Sequence, residues 1–293
     1  MPSLKNTKRR IVSVKSTQKI TRAMKLVSSA KFSRANQALA KAVPSSKAFY
    51  NMLCHFLKSC KQEEREVLLN KREEKKSLLV VISTDRGLCG GLNTNLFKLC
   101  NNFIKEKKLS GVEIDLALWG KKAGNYGKNS KFHILEKEEK VLDRPKFLFC
   151  KNQTKKFFGF IRSGVYDRIY VAYPVFKNAI SQQPLVAELL PIAFDVKSEI
   201  FSTSSDVSAN SSLIEPSREV IAEQMFESYV AGQLFRVLLD GSCSEHASRM
   251  TAMDSATSNA DKVIKNLTLE YNRARQASIT KELIEITSGA EAL

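Results

Sequence analysis

The chain has 293 residues, 43% hydrophobic and 26% charged, with 47 Lys and Arg against 30 Asp and Glu for a formal charge of +17. That length holds one large or two modest domains, and no apolar run reaches the roughly 18 residues that a membrane-spanning helix needs. The charge marks either a solvated surface or an acidic partner: nucleic acid, anionic lipid or protein.

The charge is unevenly placed. Residues 1–41 hold 11 Lys and Arg and no acid, whereas residues 213–293 hold 8 against 12 acids. The two ends are electrostatically complementary, as two helices wound together would be. The basic N-terminus lacks the apolar centre of a signal peptide, and its apolar spacing continues past residue 30, so it reads as mature structure. Cys54, Cys60, Cys89, Cys100, Cys150 and Cys243 form no Cys-x-x-Cys, and the three histidines are scattered. That argues against a zinc site and for reduced, mostly buried thiols.

Residues 3–58 read as a long helix. Leu4, Ile11, Val14, Ile20, Met24, Val27, Phe32 and Leu39 fall mostly at three- and four-residue spacing. The stripe is thin, with Thr17, Gln18, Thr21, Ser28 and Ser29 interleaved, and a narrow seam suits a two-helix coiled coil better than a globular core. Pro44 is expected to kink or briefly break this helix, and residues 45–60 to resume it. Residues 61–76 read as a charged, solvated connection.

At Ser77 the pattern changes. Leu78-Leu79-Val80-Val81-Ile82 is a short apolar run of the kind a buried parallel strand shows. A Gly-rich turn follows over Ser83–Gly91, then a helix over Asn93–Lys107 with Leu96, Leu99, Cys100, Phe103 and Ile104 on one face. Val112–Leu118 reads as a strand, Lys121–Lys128 as a short helix, and Phe147–Ser163 as a helix with Phe149, Phe157, Phe160 and Ile161 inward. Tyr166–Tyr173 reads as a strand ended by Pro174, and Leu185–Pro191 as another. Strands alternating with helices indicate an α/β unit with a mostly parallel sheet over residues 77–195. Residues 196–212, rich in Ser, Asp and Asn, read as an exposed loop.

Residues 213–293 hold one proline, Pro216, where a first helical turn tolerates it. Apolar residues from Ile221 to Ile284 keep helical spacing. Such a helix would be ~110 Å long at 1.5 Å per residue, too long for its own domain to bury, so it lies along another helix or projects into a partner. Gly241-Ser242 is the one interruption and reads as a soft point.

Few motifs carry chemistry. The Asp85–Asn93 turn joins strand to helix and is Gly-rich, as phosphate cradles are. It matches neither Gly-x-Gly-x-x-Gly nor the P-loop, which needs Gly-Lys-Ser/Thr. The glycines are better read as a tight exposed turn presenting Asp85 and Arg86 to another protein. Cys89 has no histidine near it in sequence to act as base, and reads as a small residue in a tight loop. No set of residues suggests catalysis by this chain alone. The basic N-terminal helix suits nucleic acid or an acidic protein, and Phe32 is its only aromatic before Phe49.

Four stretches, in order and at fitting spacing, resemble the γ subunit family of F-type ATP synthases. They are Arg10-Ile11-Val12-Ser13-Val14-Lys15-Ser16-Thr17-Gln18-Lys19-Ile20-Thr21-Arg22-Ala23-Met24, the loop Ser83–Asn93, Arg249-Met250-Thr251-Ala252-Met253-Asp254-Ser255-Ala256-Thr257, and Tyr271–Leu293 with Ile279-Thr280-Lys281-Glu282-Leu283-Ile284-Glu285-Ile286-Thr287-Ser288-Gly289-Ala290. The resemblance implies an α/β fold class: a long antiparallel coiled coil of the N- and C-terminal helices plus a central Rossmann-like α/β domain. It divides the chain into a coil helix at 1–60, the connection at 61–76, the α/β domain at 77–195, the loop at 196–212 and a second coil helix at 213–293. It implies a central rotor shaft without catalytic, cofactor or metal residues of its own. Its partners are then three α and three β subunits, ε, and the c-ring of the membrane sector, with no nucleic acid and with membrane association only through the complex.

By position, Met24 resembles the residue close to an acidic loop of β, with Arg22 and Lys25 placed to meet that loop's carboxylates. Asp85, Arg86 and Cys89 lie in the loop that resembles the family's contact with the β ring. Arg249, Arg275, Gln276, Thr280 and Glu282 resemble C-terminal positions linked to coupling and β contact. Plastid members carry an inserted dithiol, but residues 196–220 contain no Cys, so such redox control is not expected here. The lack of a transit peptide implies a bacterial chain on the cytoplasmic face of the inner membrane. Two other readings stay open. A nucleic-acid-binding coiled-coil protein would bind DNA or RNA with steep salt dependence, and a nucleotide-binding enzyme would bind ATP and lose it when Gly90 or Gly91 is enlarged.

Overall fold

In the computed structural model, residues 4–59, 73–128, 132–192 and 218–291 are described. The elements are α1 (Leu4–Ser59), β1 (Lys76–Ile82), α2 (Leu92–Leu109), β2 (Glu113–Trp119), α3 (Lys121–Lys128), β3 (Ile134–Glu138), α4 (Phe147–Arg162), β4 (Arg168–Phe176), β5 (Gln182–Leu190) and α5 (Arg218–Glu291). They form two compact units: residues 1–30 with 249–293, and residues 31–248. No described helix is long and apolar enough to cross a membrane.

The larger unit is built on one sheet of order β3-β2-β1-β4-β5, parallel except for the antiparallel β4–β5 pair. The two-residue side-chain period of a strand divides its apolar residues between faces. Leu78, Val80, Ile82, Trp119, Ile169 and Val171 pack against Cys150 and Phe157 of α4 and against Val230, Leu234 and Leu238 of α5. Leu79, Val81, Leu116, Leu118 and Ala172 pack against Leu96, Cys100 and Ile104 of α2 and Ala123 of α3. Helices on both faces explain why β1 reads as a continuous apolar run. In the same unit Ser46 accepts a hydrogen bond from Gln233 at 3.1 Å, and the rings of Tyr50 and Tyr229 lie 5.9 Å apart. Both pairs of numbers add to 279, so α1 and α5 run antiparallel here.

The first unit contains only parts of α1 and α5. Gln18 bonds Asp261, Thr21 bonds Thr257 at 2.7 Å, and Lys25 pairs with Asp254 at 2.5 Å. Each pair of numbers adds to 278 or 279, which is again an antiparallel register. The inward positions of α1 repeat as Leu4, Thr7, Ile11, Val14, Gln18 and Thr21, alternating three and four residues as a coiled coil requires. Ile20 and Val27, expected in the seam, are 58% and 59% exposed. The apolar count misled because the seam takes small and polar side chains at those heights instead.

Three expectations about breaks in the elements are corrected. α1 runs unbroken through Pro44; the one ladder bond that a proline removes does not stop a helix packed along a partner at Leu39 and Leu53. β4 continues through Pro174, which stands opposite Pro184 of the edge strand β5. The ladder to β1 ends at Ala172, so beyond it a proline has no β1 ladder bond to lose. α5 is continuous across Gly241-Ser242. A Cβ at Gly241 would lie 3.0 Å from Leu142 Cδ2, so this glycine gives close approach and is no soft point. Strand β3 was not anticipated at all. The expected loop at 196–212 lies outside the described residues.

The connection read as solvated ends in a paired charge. Glu74 accepts hydrogen bonds from Lys107 at 2.7 Å and Tyr170 at 3.0 Å, with Arg168 at 3.4 Å. Burial opposes its ionisation, but the bonds from Lys107, Ser77 and Tyr170 win and hold the carboxyl below its ordinary value. Burial pushes the thiols of Cys100, Cys150 and Cys243 up to about 12. Unfolded thiols ionise near pH ~8.5, so above that pH the unfolded chain loses protons that the folded one keeps. Stability therefore falls as pH rises from ~8.5 towards 12. The urea midpoint is expected to drop steadily over that range, and less steeply after Cys100→Ala and Cys150→Ala; a flat midpoint to pH ~10.5 contradicts this.

Candidate functional site

The Asp85–Asn93 loop leaves the carboxyl end of β1 and feeds α2. Its turn is held by its own side chains. Asn93 Oδ1 accepts from the Thr84 amide at 3.2 Å, while Asn93 Nδ2 donates to Thr84 Oγ1 at 2.8 Å and to Cys89 Sγ at 3.3 Å. Leu88 and Gly90 take positive φ of 62° and 57°. Gly90 does so freely; Leu88 is held there with its side chain 62% exposed. Asp85 Oδ1 accepts from the amides of Lys121 and Lys140, both at 3.0 Å. That carboxylate therefore ties the loop to α3 and to the segment after β3. Arg86 is exposed. It helps lower the carboxyl pKa of Asp143, whose first cause is the hydrogen bond from Lys31 at 3.1 Å.

Cys89 is 2% exposed. Its sulfur meets the Asn93 amide and, at 3.9 Å, the Thr84 hydroxyl. Neither group takes a thiol proton at neutral pH, which fits a packed side chain in a tight turn. Its carbonyl accepts from Ser248 Oγ of α5 at 2.6 Å. Ser248 thus secures the loop to the long helix. A lone serine on a helix gives no sequence signal of such a bond.

The other predicted positions lie in the first unit and form two groups. Arg22 and Lys25 line an open cleft of about 380 Å³ with Asp254, Thr257, Ser258 and Asp261. Met24 beside them is half-buried, while Arg249 is 7% exposed. Arg275, Gln276, Thr280 and Glu282 are exposed. They sit 21 or more residues beyond Asp254, ~30 Å along the helix at 1.5 Å per residue, so they do not join Met24. Thr280 Oγ1 returns a bond to the Gln276 carbonyl at 3.0 Å, and Ser278 donates to Glu282 at 3.2 Å. The register sets Leu4 opposite residues 274 and 275. From Lys281 to Ser288 every described side chain is exposed, with Leu283, Ile284 and Ile286 at 57–68%. Asp254, Asp261 and Gln18 were missed as site residues; the charge complementarity of the two ends was the available signal.

Two chain ends paired antiparallel, with a mostly parallel α/β sheet unit between them in sequence, define the class: a coiled-coil subunit carrying an inserted Rossmann-like domain. The sequence pattern of the ATP synthase family matches residues 3–293. The ATP synthase gamma chain of Geobacter metallireducens is 39% identical over 293 residues, covering 100% of this chain and 99% of that one. The gamma chain of an Anaeromyxobacter strain is 39% identical over 298 residues, covering 100% of both. A chain of the Tetrahymena thermophila mitochondrial ATP synthase central stalk and c-ring structure is 26% identical, with a TM-score of 0.58 over 81% of this chain and 99% of that one. A chain of the Euglena gracilis mitochondrial ATP synthase rotor shares the fold, at 19% identity and a TM-score of 0.65 over 94% of this chain and 98% of that one. The chain belongs to the ATP synthase γ chain family.

Proposed function

We propose that this chain is the central rotor shaft of an F-type ATP synthase, a non-catalytic subunit that couples proton flow through the membrane sector to ATP synthesis or hydrolysis at the α/β sites. The observation that carries this reading is the antiparallel pairing of the two chain ends, followed by a C-terminal stretch whose apolar side chains are exposed. A shaft must be stiff where it turns and must offer a surface to the ring around it. Each rotor angle then stabilises one set of β conformations over the others, which is how any effector shifts an equilibrium. Three α and three β subunits surround the coil, ε binds alongside, and the foot rests on the c-ring. The protein is peripheral, on the cytoplasmic face of a bacterial inner membrane. Its regions are the coil helices at 1–60 and 213–293, the connection at 61–76, the α/β domain at 77–195 and the loop at 196–212.

Arg22, Met24 and Lys25 form one contact with β, Asp85, Arg86 and Cys89 a second, and Arg249, Arg275, Gln276, Thr280 and Glu282 a third. The test is assembly. The chain is mixed with matched α and β subunits, the complex is isolated by size, and Mg-ATP hydrolysis is compared with and without it. One copy per three α/β pairs, with hydrolysis well above that of the mixture lacking it, is expected. Failure of folded components to assemble overturns the reading. Met24→Lys places a charge at a half-buried position beside the cleft. It is expected to lower the ratio of proton pumping to ATP hydrolysis about tenfold, equivalent to ~1.4 kcal/mol of coupling, with assembly intact. Unchanged coupling would remove Met24 from the contact.

A further inference from the structure

Beyond Val14, the seam of the first unit is not the most apolar stripe that α1 offers. From Gln18 onward the inward positions are Gln18, Thr21, Met24, Lys25 and Ser28. Val12, Ile20, Leu26 and Val27 instead face outward at 63, 58, 67 and 59% exposure. At about 100° per residue Val12, Ile20 and Val27 occupy the opposite side of the helix, while Leu26 sits at the edge of the seam and lines the cleft with Asp254 and Asp261. Over the whole unit the seam face carries Leu4, Ile11, Val14 and Met24, no more apolar residues than point away from it, so apolar burial alone does not select the observed face. Something else fixes the observed one.

Three consecutive polar rungs do so. Gln18 Nε2 donates to Asp261 Oδ1, the hydroxyls of Thr21 and Thr257 meet at 2.7 Å, and Lys25 Nζ donates to Asp254 Oδ1 at 2.5 Å. Both threonines are only 9% exposed, so this rung is buried. Each also reaches a carbonyl of its own helix, Thr21 the Gln18 carbonyl at 3.0 Å and Thr257 the Met253 carbonyl at 2.7 Å, so whichever hydroxyl donates across the seam shares its hydrogen with that carbonyl. The rungs do not survive a slide of one heptad. In one direction Gln18 meets Asp254, but Asp261 falls against Ile11; in the other, Thr21 falls against Ile264. Thr21–Thr257 is the buried rung and the other two flank it on the exposed rim of the seam; a buried polar pair in a coiled-coil seam characteristically sets register in this way, at some cost in stability.

We propose that the rungs Gln18–Asp261, Thr21–Thr257 and Lys25–Asp254 are a register and phase lock for the terminal helix pair. Lys25, Asp254, Gln18 and Asp261 are then positioning residues that set the face on which Arg22 and Met24 are carried. Lys25 is held in its place in the proposed contact with β by Asp254 of its own chain. The effect on coupling rests on the rotor reading; the lock itself does not.

The experiment uses the full chain assembled with α and β. Register is read by oxidative cross-linking of Val14→Cys with Ile264→Cys, which face each other in the observed register. Val14→Cys with Tyr271→Cys reports a slide of one heptad. The first pair is expected to cross-link and the second not. Lys25→Asp should reduce the first cross-link about threefold and lower the ratio of pumping to hydrolysis, and adding Asp254→Lys should restore both. An unchanged cross-link in Lys25→Asp, or a double variant no better than the worse single one, overturns the lock. A cross-link that responds while coupling does not overturns the link to Arg22 and Met24 only. If the unmodified chain fails to assemble, the rotor reading falls, and cross-linking of the free chain still decides the lock. If Lys25→Asp does not fold, Lys25→Met, which keeps the bulk and removes only the ion pair, carries the same cross-link test.

Discussion

Gly120→Ala is expected to destabilise the larger unit by about 4 kcal/mol and to lower its melting temperature by about 10 °C. Gly120 stands at the carboxyl end of β2 with φ of 101°. A side chain there costs ~1–2 kcal/mol in backbone strain alone. The steric cost is larger, because a Cβ would lie 2.1 Å from the Ser83 carbonyl oxygen and 2.8 Å from its Oγ. Both are fixed atoms. The Ser83 amide donates to the Trp119 carbonyl at 2.8 Å, and Ser83 Oγ accepts from the Ala123 amide at 2.7 Å. Relief therefore means moving Ser83, which begins the loop carrying Asp85, Arg86 and Cys89. Thermal melting checks the stability loss and assembly with α and β checks the loop. Gly159→Ala, inside α4 with nothing within 4 Å of the added methyl, is the control expected to leave assembly unchanged and to raise stability by about 0.5–1 kcal/mol.

The strands β1, β2 and β4 were legible because each is covered on both faces and so carries an apolar run. β3 was not, since its sequence, Ile134-Leu135-Glu136-Lys137-Glu138, is mostly charged. It is a strand because β2 supplies its ladder and because Glu136 finds a buried donor, facts of tertiary structure that no local pattern contains. The prolines failed as stop signals for a similar reason. Pro44 lies in a helix supported along its length by a partner, and Pro174 lies beyond the reach of the β1 ladder. Propensity sets a local cost, and packing decided against it in both places.

The candidate site was legible as chemistry but not as geometry. The Gly-rich turn was recognisable, and the structure shows why it needs glycine at Gly90. That Asp85 spends its carboxylate oxygen on two backbone amides depends on where Lys140 arrives after β3, the strand that was missed. Along the coil, counting apolar residues placed Ile20 and Val27 in the seam. The charge difference between the two ends was the better guide: it names no pair, and the resemblance sets Lys25 against an acidic loop of β, but the bond of Lys25 to Asp254 is of the kind that complementarity implies. In a narrow seam each rung buries little area, so the apolar term is small and polar partners decide the face.

Trp119→Ala is expected to cost about 4–5 kcal/mol, and to loosen the Asp85 loop as well as the core. Trp119, the only tryptophan, is fully buried. Its ring meets Phe149 edge-on at 5.1 Å and stacks against Phe157 at 6.3 Å. Its Nε1 donates to Glu136 Oε1 at 3.0 Å, so truncation leaves a cavity and strips a donor from a carboxylate of β3. Lys156 at 3.4 Å from Glu136 Oε2 compensates only in part. Trp119→Phe keeps most of the ring volume and removes the N–H, and is expected to cost about 1–2 kcal/mol. Urea midpoints read by circular dichroism separate the two. β3 and the segment after it reach the loop through two hydrogen bonds: the Gly120 amide donates to the Glu138 carbonyl at 2.7 Å, and the Lys140 amide donates to the Asp85 carboxylate. Trp119→Ala should therefore weaken assembly with α and β more than Trp119→Phe does. Equal assembly of the two variants, with the stability gap intact, would mean that the loop holds its shape through Asn93, Lys121 and Ser248 without help from β3.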